Sequence, residues 1–295
     1  MEIPAYPHSR PLDISDKPLL DRIFQELQPR VSELTFAGLY LFRNAHGYSL
    51  TMLDNALVVL GRGYDGLSYF LPPLNAGIPH ALDVLFSQGM ELYAADELFV
   101  SRYLACRELE VVEDRNSFDY LYLRDELATL PGNRLHKKKN RVNYFAKRHA
   151  YRVELFARSH SEGCRELLEV WRSMAETEQN ASLALEVAAA DEALELADAL
   201  ELMGVVVIVE DRVRAFSLGE LLNRETAVCH FEKADPFMEG LSQVVNQAFA
   251  SRLFGECRFV NREQDLGEPG LRNAKLSYHP LELVKKYRVR RYAHS

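Results

Sequence analysis

The feature that most constrains the fold is a succession of strands, turns and helices that occurs twice, at a spacing of half the chain. Each half contains three strand-like runs, followed by a helix and a further strand. The runs cover residues 48–53, 56–61 and 67–71 in the first half and 205–209, 213–218 and 226–231 in the second. Asp54-Asn55 and Glu210-Asp211 separate the first two runs of each half, as in tight β-hairpins. The pattern predicts a duplicated α+β unit with mixed sheets flanked by helices.

Two like domains follow from this duplication. We place the first at residues 1–130, including a connector, and the second at residues 131–295. Outside the repeated runs, the segment 35–43, rich in Leu, Tyr and Phe, predicts a strand, and residues 189–203 predict a helix. Gly61-Arg-Gly-Tyr-Asp-Gly66 matches the G-x-G-x-x-G pattern of dinucleotide sites. A strand rather than a helix follows it, so we interpret it as a hairpin turn.

The composition is that of a soluble globular protein, with 47% hydrophobic and 26% charged residues. The 43 acidic and 35 basic residues give a net charge of −8. This charge excludes the general coating of nucleic acid by basic proteins but allows a local basic patch. No run approaches the length of a membrane span, and the N-terminus lacks the apolar segment of a signal peptide. We therefore expect a cytoplasmic protein.

Cysteine and histidine spacing indicates neither disulfides nor metals. Cys106, Cys164, Cys229 and Cys257 are widely separated, which is typical of reduced thiols in a cytosol. The nine histidines show no metal-ligand spacing. We therefore expect no structural or catalytic metal, and no resident cofactor is indicated.

A concentrated basic stretch interrupts this acidic chain. No acidic residue lies between Leu127 and Val153, and that window holds eight cations: Arg134, Lys137, Lys138, Lys139, Arg141, Lys147, Arg148 and Arg152. Pro131-Gly-Asn133 predicts a break and then a helix N-cap at Asn133. Cations in a first helical turn oppose the helix dipole, whereas a bound phosphate would favour them. The stretch predicts either an anion-binding helix or a solvated basic face.

The richest polar cluster follows a predicted strand near residue 260. Five polar residues leave the strand end, where loops usually carry binding and catalytic groups: Asn261, Arg262, Glu263, Gln264 and Asp265. Pro269 suits the first turn of the next helix. On that helix Arg272, Lys275 and Tyr278 recur at intervals of three, so they lie near one face. The pattern favours a functional loop.

A second polar group ends the last strand of the second meander. Glu232 and Lys233 are adjacent there, so their side chains alternate between the two faces of the strand. One of them is expected to face whatever lies over the sheet centre. The alternative is a solvated strand end.

Three stretches together resemble the DUF2156 proteins, which are related to the C-terminal domain of lysyl-phosphatidylglycerol synthases. They are residues 126–140, 261–267 and 270–280. The resemblance implies a tandem GNAT-like (acyl-CoA N-acyltransferase) fold, shared with Fem-type peptidoglycan aminoacyltransferases, with the active site in the second domain. It also implies transfer of an aminoacyl group from aminoacyl-tRNA to an amine or hydroxyl acceptor, such as a small molecule, a peptide or a lipid headgroup.

The resemblance assigns roles to residues of this chain. Glu232 or Asp265 would act as base toward the acceptor, and Lys275 or Arg272 would stabilise the oxyanion. The residues expected to bind substrate, including the phosphates of a tRNA acceptor end or of CoA, are His136, Lys137, Lys138, Asn140, Arg141, Asn261, Arg262, Glu263, Arg272 and Tyr278. These assignments predict one site built around the basic stretch and the loop after residue 260.

Two other functions remain open on the residues alone. An N-acyltransferase would take acyl-CoA as donor, but the segment 233–241 keeps one glycine of the usual pyrophosphate loop, and Asp235 and Glu239 would repel phosphates. A non-catalytic module would keep the fold and bind an anionic partner with the basic helix. The lack of a membrane-spanning portion disfavours a lipid acceptor.

Overall fold

A computed structural model describes residues 2–63 and 66–292 of the chain. The strands are β1 (Arg10–Pro11), β2 (Ser49–Leu53), β3 (Ala56–Arg62), β4 (Ser68–Phe70), β5 (Leu74–Asn75), β6 (Glu91–Asp96), β7 (Leu109–Glu113), β8 (Asp119–Leu123), β9 (Tyr151–Leu155), β10 (Met203–Val209), β11 (Arg212–Asn223), β12 (Thr226–Ala234), β13 (Phe259–Asn261), β14 (Glu282–Val284) and β15 (Lys286–Arg291). The α-helices are α1 (Lys17–Leu27), α2 (Phe36–Leu41), α3 (Arg43–His46), α4 (Ile78–Ser87), α5 (Glu97–Tyr103), α6 (Arg124–Thr129), α7 (His136–Arg148), α8 (Ser161–Glu178), α9 (Ala181–Leu196), α10 (Leu241–Arg252) and α11 (Pro269–Leu276). Of these helices in the described ranges, none has both the length and the apolar character that a bilayer crossing requires.

The chain forms two compact units, each built on its own sheet. The first unit takes residues 2–119, 264–267 and 283–292 of the described chain, and the second takes 120–263 and 268–282. The first sheet has the order β1-β2-β3-β4-β6-β15-β7, with β5 beside β3. The second has the order β14-β8-β13-β12-β11-β10-β9. Residues 264–267 and 283–292, placed in the second domain by the sequence analysis, therefore group with the first unit.

The same strand arrangement occurs in both units, which confirms the predicted α+β duplication. An antiparallel meander, β2-β3-β4 or β10-β11-β12, forms the first part of each sheet. The last strand of each meander then pairs in parallel with the strand that follows a helix, β4 with β6 and β12 with β13. A parallel pair needs such a crossover, and α4 and α10 supply it.

The crossover helix of the second unit packs on its sheet through close-fitting side chains. Leu241, Val245 and Phe249 of α10 are buried at the spacing of one helical face. A Cβ atom at Gly219 of β11 would lie 2.9 Å from the Phe249 ring. Glycine at that position leaves room for the Phe249 ring and for the Val228 backbone oxygen of β12, which would lie 2.1 Å from the Cβ atom.

Two local predictions are wrong. Residues 35–43, predicted as a strand, form α2 and the start of α3, because the Thr35 hydroxyl accepts a hydrogen bond from the Gly38 amide and caps a helix. The basic helix begins at His136, with Leu135 at its N-cap and no side-chain cap, so Asn133 is not the cap. The Leu, Tyr and Phe side chains of the first segment suit either structure, and the cap decides between them.

Other predicted boundaries shift. The helix predicted at 189–203 begins at Ala181, where Asn180 caps it through a hydrogen bond from the Leu183 amide. The turn predicted at Gly61–Gly66 joins β3 to β4, which pair antiparallel as a hairpin requires. Tyr64 and Asp65, within that predicted turn, lie outside the described residues.

A buried ion cluster lies in the first unit. The Lys286 ammonium donates hydrogen bonds to Glu33 Oε2 (2.5 Å) and Asp119 Oδ1 (2.7 Å), and the side chains of Lys286 and Asp119 are fully buried. Burial raises the pKa of Glu33 to about 7, with Lys286 opposing and Asp119 adding to the shift. Burial by itself lowers the pKa of Lys286, but Asp119 and Glu33 outweigh it and raise that pKa. The lysine is therefore held charged between two carboxylates.

Replacing Lys286 by Met should destabilise the protein by about 3–5 kcal/mol, because two buried carboxylates would lose their cation. Denaturant unfolding at neutral pH measures this loss. Lys285→Met is the matched control, since Lys285 is an exposed neighbour paired with Glu113, and its unfolding midpoint should stay at the wild-type value. Equal midpoints for the two variants would contradict the account of this cluster.

Candidate active site in the second unit

The candidate site begins where the two parallel strands of the second unit end. Glu232 lies near the end of β12, and Arg262 follows β13 directly. Arg262 Nη2 donates a hydrogen bond to Glu232 Oε1 at 3.0 Å, and the two side chains are 13% and 18% exposed. Ligands of α/β sheets commonly bind outside the carboxyl ends of such strands. The ion pair therefore lies where a polar site is expected.

Helix α10 supplies the third member of this group. Asn246 Nδ2 donates a hydrogen bond to the other Glu232 oxygen, Oε2, at 2.9 Å. Asn246 is 2% exposed, although the rest of that helix face is apolar. Both oxygens of the Glu232 carboxylate are thus held in place, one by a guanidinium and the other by an amide.

Three buried polar atoms around this group have no hydrogen-bond partner among the described residues. They are Arg262 Nη1, Asn246 Oδ1 and Ser217 Oγ, and Ser217 lies opposite Glu232 in the β11–β12 register. A buried polar group without a partner costs free energy and is rare in folded proteins. A donor and an acceptor left in this state beside one carboxylate indicate a place for a polar ligand.

Two tyrosines and one lysine line the same group. Tyr122 and Tyr278 meet edge to face with ring centres 6.4 Å apart, and the Arg262 guanidinium lies 5.0 Å from the Tyr278 ring centre. Lys138 of α7 places its ammonium 4.3 Å from the same ring. Burial, followed by the nearby Arg262 and Arg141, lowers the pKa of Lys138. The basic helix therefore brings one cation to the site, over an aromatic face that favours cations.

Lys275 braces the turn that carries Arg262. Its buried ammonium donates hydrogen bonds to the backbone oxygens of Arg262 (2.5 Å) and Glu263 (3.2 Å). The Tyr122 hydroxyl donates to the Lys275 backbone oxygen at 2.8 Å. These bonds attach α11 to the chain segment that leaves β13, so Lys275 fixes the backbone beside the ion pair.

A charged histidine supports the same turn through its contact with Glu263. The His230 ring lies between Glu263 Oε1 (2.7 Å from Nδ1) and Glu220 Oε1 (2.9 Å from Nε2). Burial disfavours its charge, but the two carboxylates outweigh burial and raise the pKa of His230 to about 10. Glu263 adopts a left-handed backbone conformation (φ 54°), and its amide donates to Asn261 Oδ1. Such strained backbone persists where the surroundings determine it and is frequent at functional sites.

The structure groups some of the residues predicted from the sequence and separates others. Those that meet in the second unit are Lys138, Glu232, Arg262, Lys275 and Tyr278. Asp265 belongs to the first unit, where it is fully buried and accepts hydrogen bonds from Arg115 and from the Gly267 amide. Asn261 and Glu263 form the bracing network described above. The catalytic roles assigned to these residues stay predictions.

The other predicted binding residues lie on helix surfaces. His136, Lys137 and Asn140 are exposed on α7, and Arg141 on the same helix forms an ion pair with Glu239. Arg272 is half-buried on α11. The residues that sequence reasoning missed are Tyr122, Ser217, His230 and Asn246. Asn246 carries a sequence signal, since an amide interrupts an otherwise apolar helix face.

These features define a class of fold. Each unit has an antiparallel meander, a crossover helix and a parallel strand pair, and the chain is a tandem GNAT-like α+β protein. The crystal structure of FemX matches it with a TM-score of 0.56 at 9% identity, covering 95% of this chain and 96% of that chain. At that identity the match shows the fold alone.

The chain belongs to the family described as phosphatidylglycerol lysyltransferase, C-terminal, whose model matches residues 24–290. The resemblance to DUF2156 proteins is thereby confirmed. A conserved protein of unknown function from Bacteroides thetaiotaomicron is 27% identical, with a TM-score of 0.87 over 95% of this chain and 98% of that one. The DUF2156 domain of a putative lysylphosphatidylglycerol synthetase from Agrobacterium fabrum is 12% identical, with a TM-score of 0.63 over 93% and 91%. No match to this chain was found among curated proteins.

The His230 charge predicts a defined pH dependence of stability. Its folded pKa of about 10 lies above the ordinary value of 6.5. The charged His230 ring therefore stabilises the folded state fully below pH 6.5, and this stabilisation is lost as the pH rises through about 10. Over that range the free energy of unfolding falls by up to about 1.4 kcal/mol per pH unit. The stability difference between wild type and His230→Gln should be largest near pH 6 and shrink toward pH 10.

Denaturant unfolding of both proteins across this pH range tests the prediction. His80→Gln is the control, because the His80 side chain is 60% exposed, and its difference from wild type should not follow this curve. A His230→Gln difference that stays constant or grows with pH would show that the ring is not held charged.

Proposed function

We propose that this protein transfers an aminoacyl group from aminoacyl-tRNA to an amine or hydroxyl acceptor, with the chemistry at the Glu232–Arg262 pair. The observation that carries the proposal is the buried donor and buried acceptor, Arg262 Nη1 and Asn246 Oδ1, beside the Glu232 carboxylate. An aminoacyl ester offers a matching pair of groups, a carbonyl oxygen and an ammonium. The family description supports the same class of reaction.

The reaction would proceed by attack of the acceptor nitrogen or oxygen on the ester carbonyl carbon. Negative charge then develops on the carbonyl oxygen, and Arg262 Nη1 is a charged donor suited to it. As the ester C–O bond breaks, the ribose oxygen leaves as a hydroxyl by taking up the proton that Glu232 has removed from the nucleophile. Glu232, held by Arg262 and Asn246, accepts the proton of the nucleophile through its remaining lone pairs.

Two further residues of the site take supporting parts in this proposal. Asn246 Oδ1 accepts a hydrogen bond from the substrate ammonium. Lys275 positions Arg262, because its ammonium already contacts the backbone oxygens of residues 262 and 263. Asp265 takes no part in the proposed reaction, because its oxygens accept hydrogen bonds from Arg115 and Gly267 in the first unit.

The donor is proposed to be a tRNA because of the charge on α7. Lys137 and Lys139 are exposed there, next to Lys138 at the site, and can neutralise phosphates. An acyl-CoA pyrophosphate would instead approach the loop between β12 and α10. Asp235 and Glu239 in that loop carry negative charge, although Arg214 and Arg141 pair with them. The exposed lysines of α7, rather than the charges of this loop, therefore favour a tRNA donor.

Glu232→Gln should lower the rate of aminoacyl transfer by about 10²–10⁴-fold through loss of the base. Arg262→Lys should lower it by about 10²–10³-fold through loss of a positioned oxyanion donor. Single-turnover assays with radiolabelled aminoacyl-tRNAs and a panel of acceptors (phosphatidylglycerol micelles, glycerol and primary amines) measure these rates.

The exposed ion pair Arg152–Glu154 on β9 of the same sheet provides matched controls. Arg152→Lys and Glu154→Gln should leave the rate unchanged. A wild-type protein that transfers no aminoacyl group to any acceptor, while acetyl-CoA raises its melting temperature, would replace this proposal by the acyl-CoA alternative.

A further inference from the structure

We infer that Phe237 is a stacking platform for a base near the 3′ end of the donor RNA, an inference that rests on the proposed function. Among the large hydrophobic side chains that the structure describes, Phe237 is the most exposed, at 84%. A single exposed hydrophobic residue is ordinary in itself. The way in which this ring is held, and the cations on the helix that its loop contacts, point to a ligand.

The loop that carries Phe237, residues 235–240, is anchored on both sides. Asp235 Oδ1 accepts a hydrogen bond from the Phe237 amide at 3.0 Å, and Asp235 is itself paired with Arg214 at 3.1 Å. At the other end of the loop, Glu239 pairs with Arg141 of α7. The ring is therefore presented to solvent by a fixed turn, which lowers the entropy cost of binding on it.

Glycine at the end of this loop lets it lie directly against α7. Gly240 has a φ of 93°, and a Cβ atom there would lie 2.5 Å from the Arg141 backbone oxygen. Any other residue would push the loop off the helix. The end of the loop that carries Phe237 is thus held against the basic helix by a close contact between the backbones of both elements.

The charges on α7 select an anionic partner. Lys137, Lys139 and Lys147 are exposed, and in the described ranges no carboxylate lies within ion-pair distance of them. On the same helix, the Arg148 guanidinium lies over the Tyr144 ring at 3.5 Å. Aromatic rings interleaved with cations are typical of surfaces that bind single-stranded nucleic acid, because the bases stack while the phosphates meet the cations.

A membrane surface fits these observations less well than an RNA does. A helix that lies on a bilayer turns a broad apolar face toward the lipid. The large apolar side chains that frame α7, Leu135 and Phe145, are buried in the protein. The exposed side of α7 is polar and charged, so the loop that carries Phe237 contacts a helix without a lipid-facing stripe.

The position of Phe237 in the chain limits which part of the RNA it contacts. Phe237 follows Glu232 by five residues, so their Cα atoms are at most about 18 Å apart. If the ester lies at Glu232, the stacked base belongs to the last unpaired nucleotides rather than to the duplex stem. The proposed partner of this loop is therefore the 3′ end of the RNA and not the rest of the tRNA surface.

Phe237→Ala should weaken binding of intact tRNA about 5- to 100-fold, as expected for the loss of one base stack. The slope of log affinity against log salt should not change, because no phosphate contact is lost. Phe237→Trp should bind as wild type does. Lys137→Ala, in contrast, should reduce the salt slope by about 0.7. Fluorescence anisotropy with labelled tRNA between 50 and 200 mM salt, roughly the range in which phosphate contacts are resolved, gives these values.

A tRNA trimmed of its unpaired 3′ nucleotides supplies the matched ligand, and it should bind wild type and Phe237→Ala equally. Leu155→Ala is the control variant, since Leu155 is 60% exposed on β9. Intact tRNA bound equally by wild type and Phe237→Ala overturns the stacking role and leaves the proposed function standing. Phe237-dependent binding to phosphatidylglycerol vesicles, without an effect on tRNA, overturns it in favour of a membrane. Tight, Phe237-dependent tRNA binding without transfer activity would instead refute the proposed function alone.

Discussion

The hydrogen bond between Arg262 and Glu232 is the interaction on which the candidate site depends. Removing two charges from water to this extent costs free energy. Their mutual attraction offsets that cost only when further hydrogen bonds are present. Asn246 supplies one such bond to Glu232, and the ring of Tyr278 lies near the guanidinium. Burial disfavours the Arg262 charge, but Glu232 outweighs it and keeps the pKa of Arg262 above its ordinary value. Arg262 therefore stays charged beside Glu232, at a place with little exposure to water.

The surrounding network fixes this pair before any ligand arrives. His230, held charged by Glu220 and Glu263, and Lys275, bound to two backbone oxygens, both brace the turn that carries Arg262. A site held in this way does not have to reorganise when charge develops on a substrate. The strained backbone of Glu263 is the local cost of that rigidity.

The duplicated fold and the basic helix could be predicted from the sequence because both leave a local signal. A turn of two polar residues separates the first two strands of each meander, and the run of cations indicates α7.

The segment 35–43 was predicted wrongly because its side chains are compatible with a strand or a helix. The single hydrogen bond from the Gly38 amide to the Thr35 hydroxyl favours the helix. Tyr122, Ser217 and Asn246 escaped prediction because they meet Glu232 and Arg262 only through sheet pairing and helix packing. Arg262 and Asp265 belong to different units although they are only three residues apart. That division depends on long-range contacts, which a local sequence pattern does not reveal.

We propose that Arg262, Glu232 and Asn246 together receive the aminoacyl group. The most direct measurement is a crystal structure of the protein with a non-hydrolysable adenosine whose ribose carries an amino acid through an amide. We expect the amide carbonyl oxygen to lie within hydrogen-bond distance of Arg262 Nη1, with the amino group at Asn246 Oδ1. A well-ordered analogue bound elsewhere on the protein, with neither atom contacting it, would contradict the account.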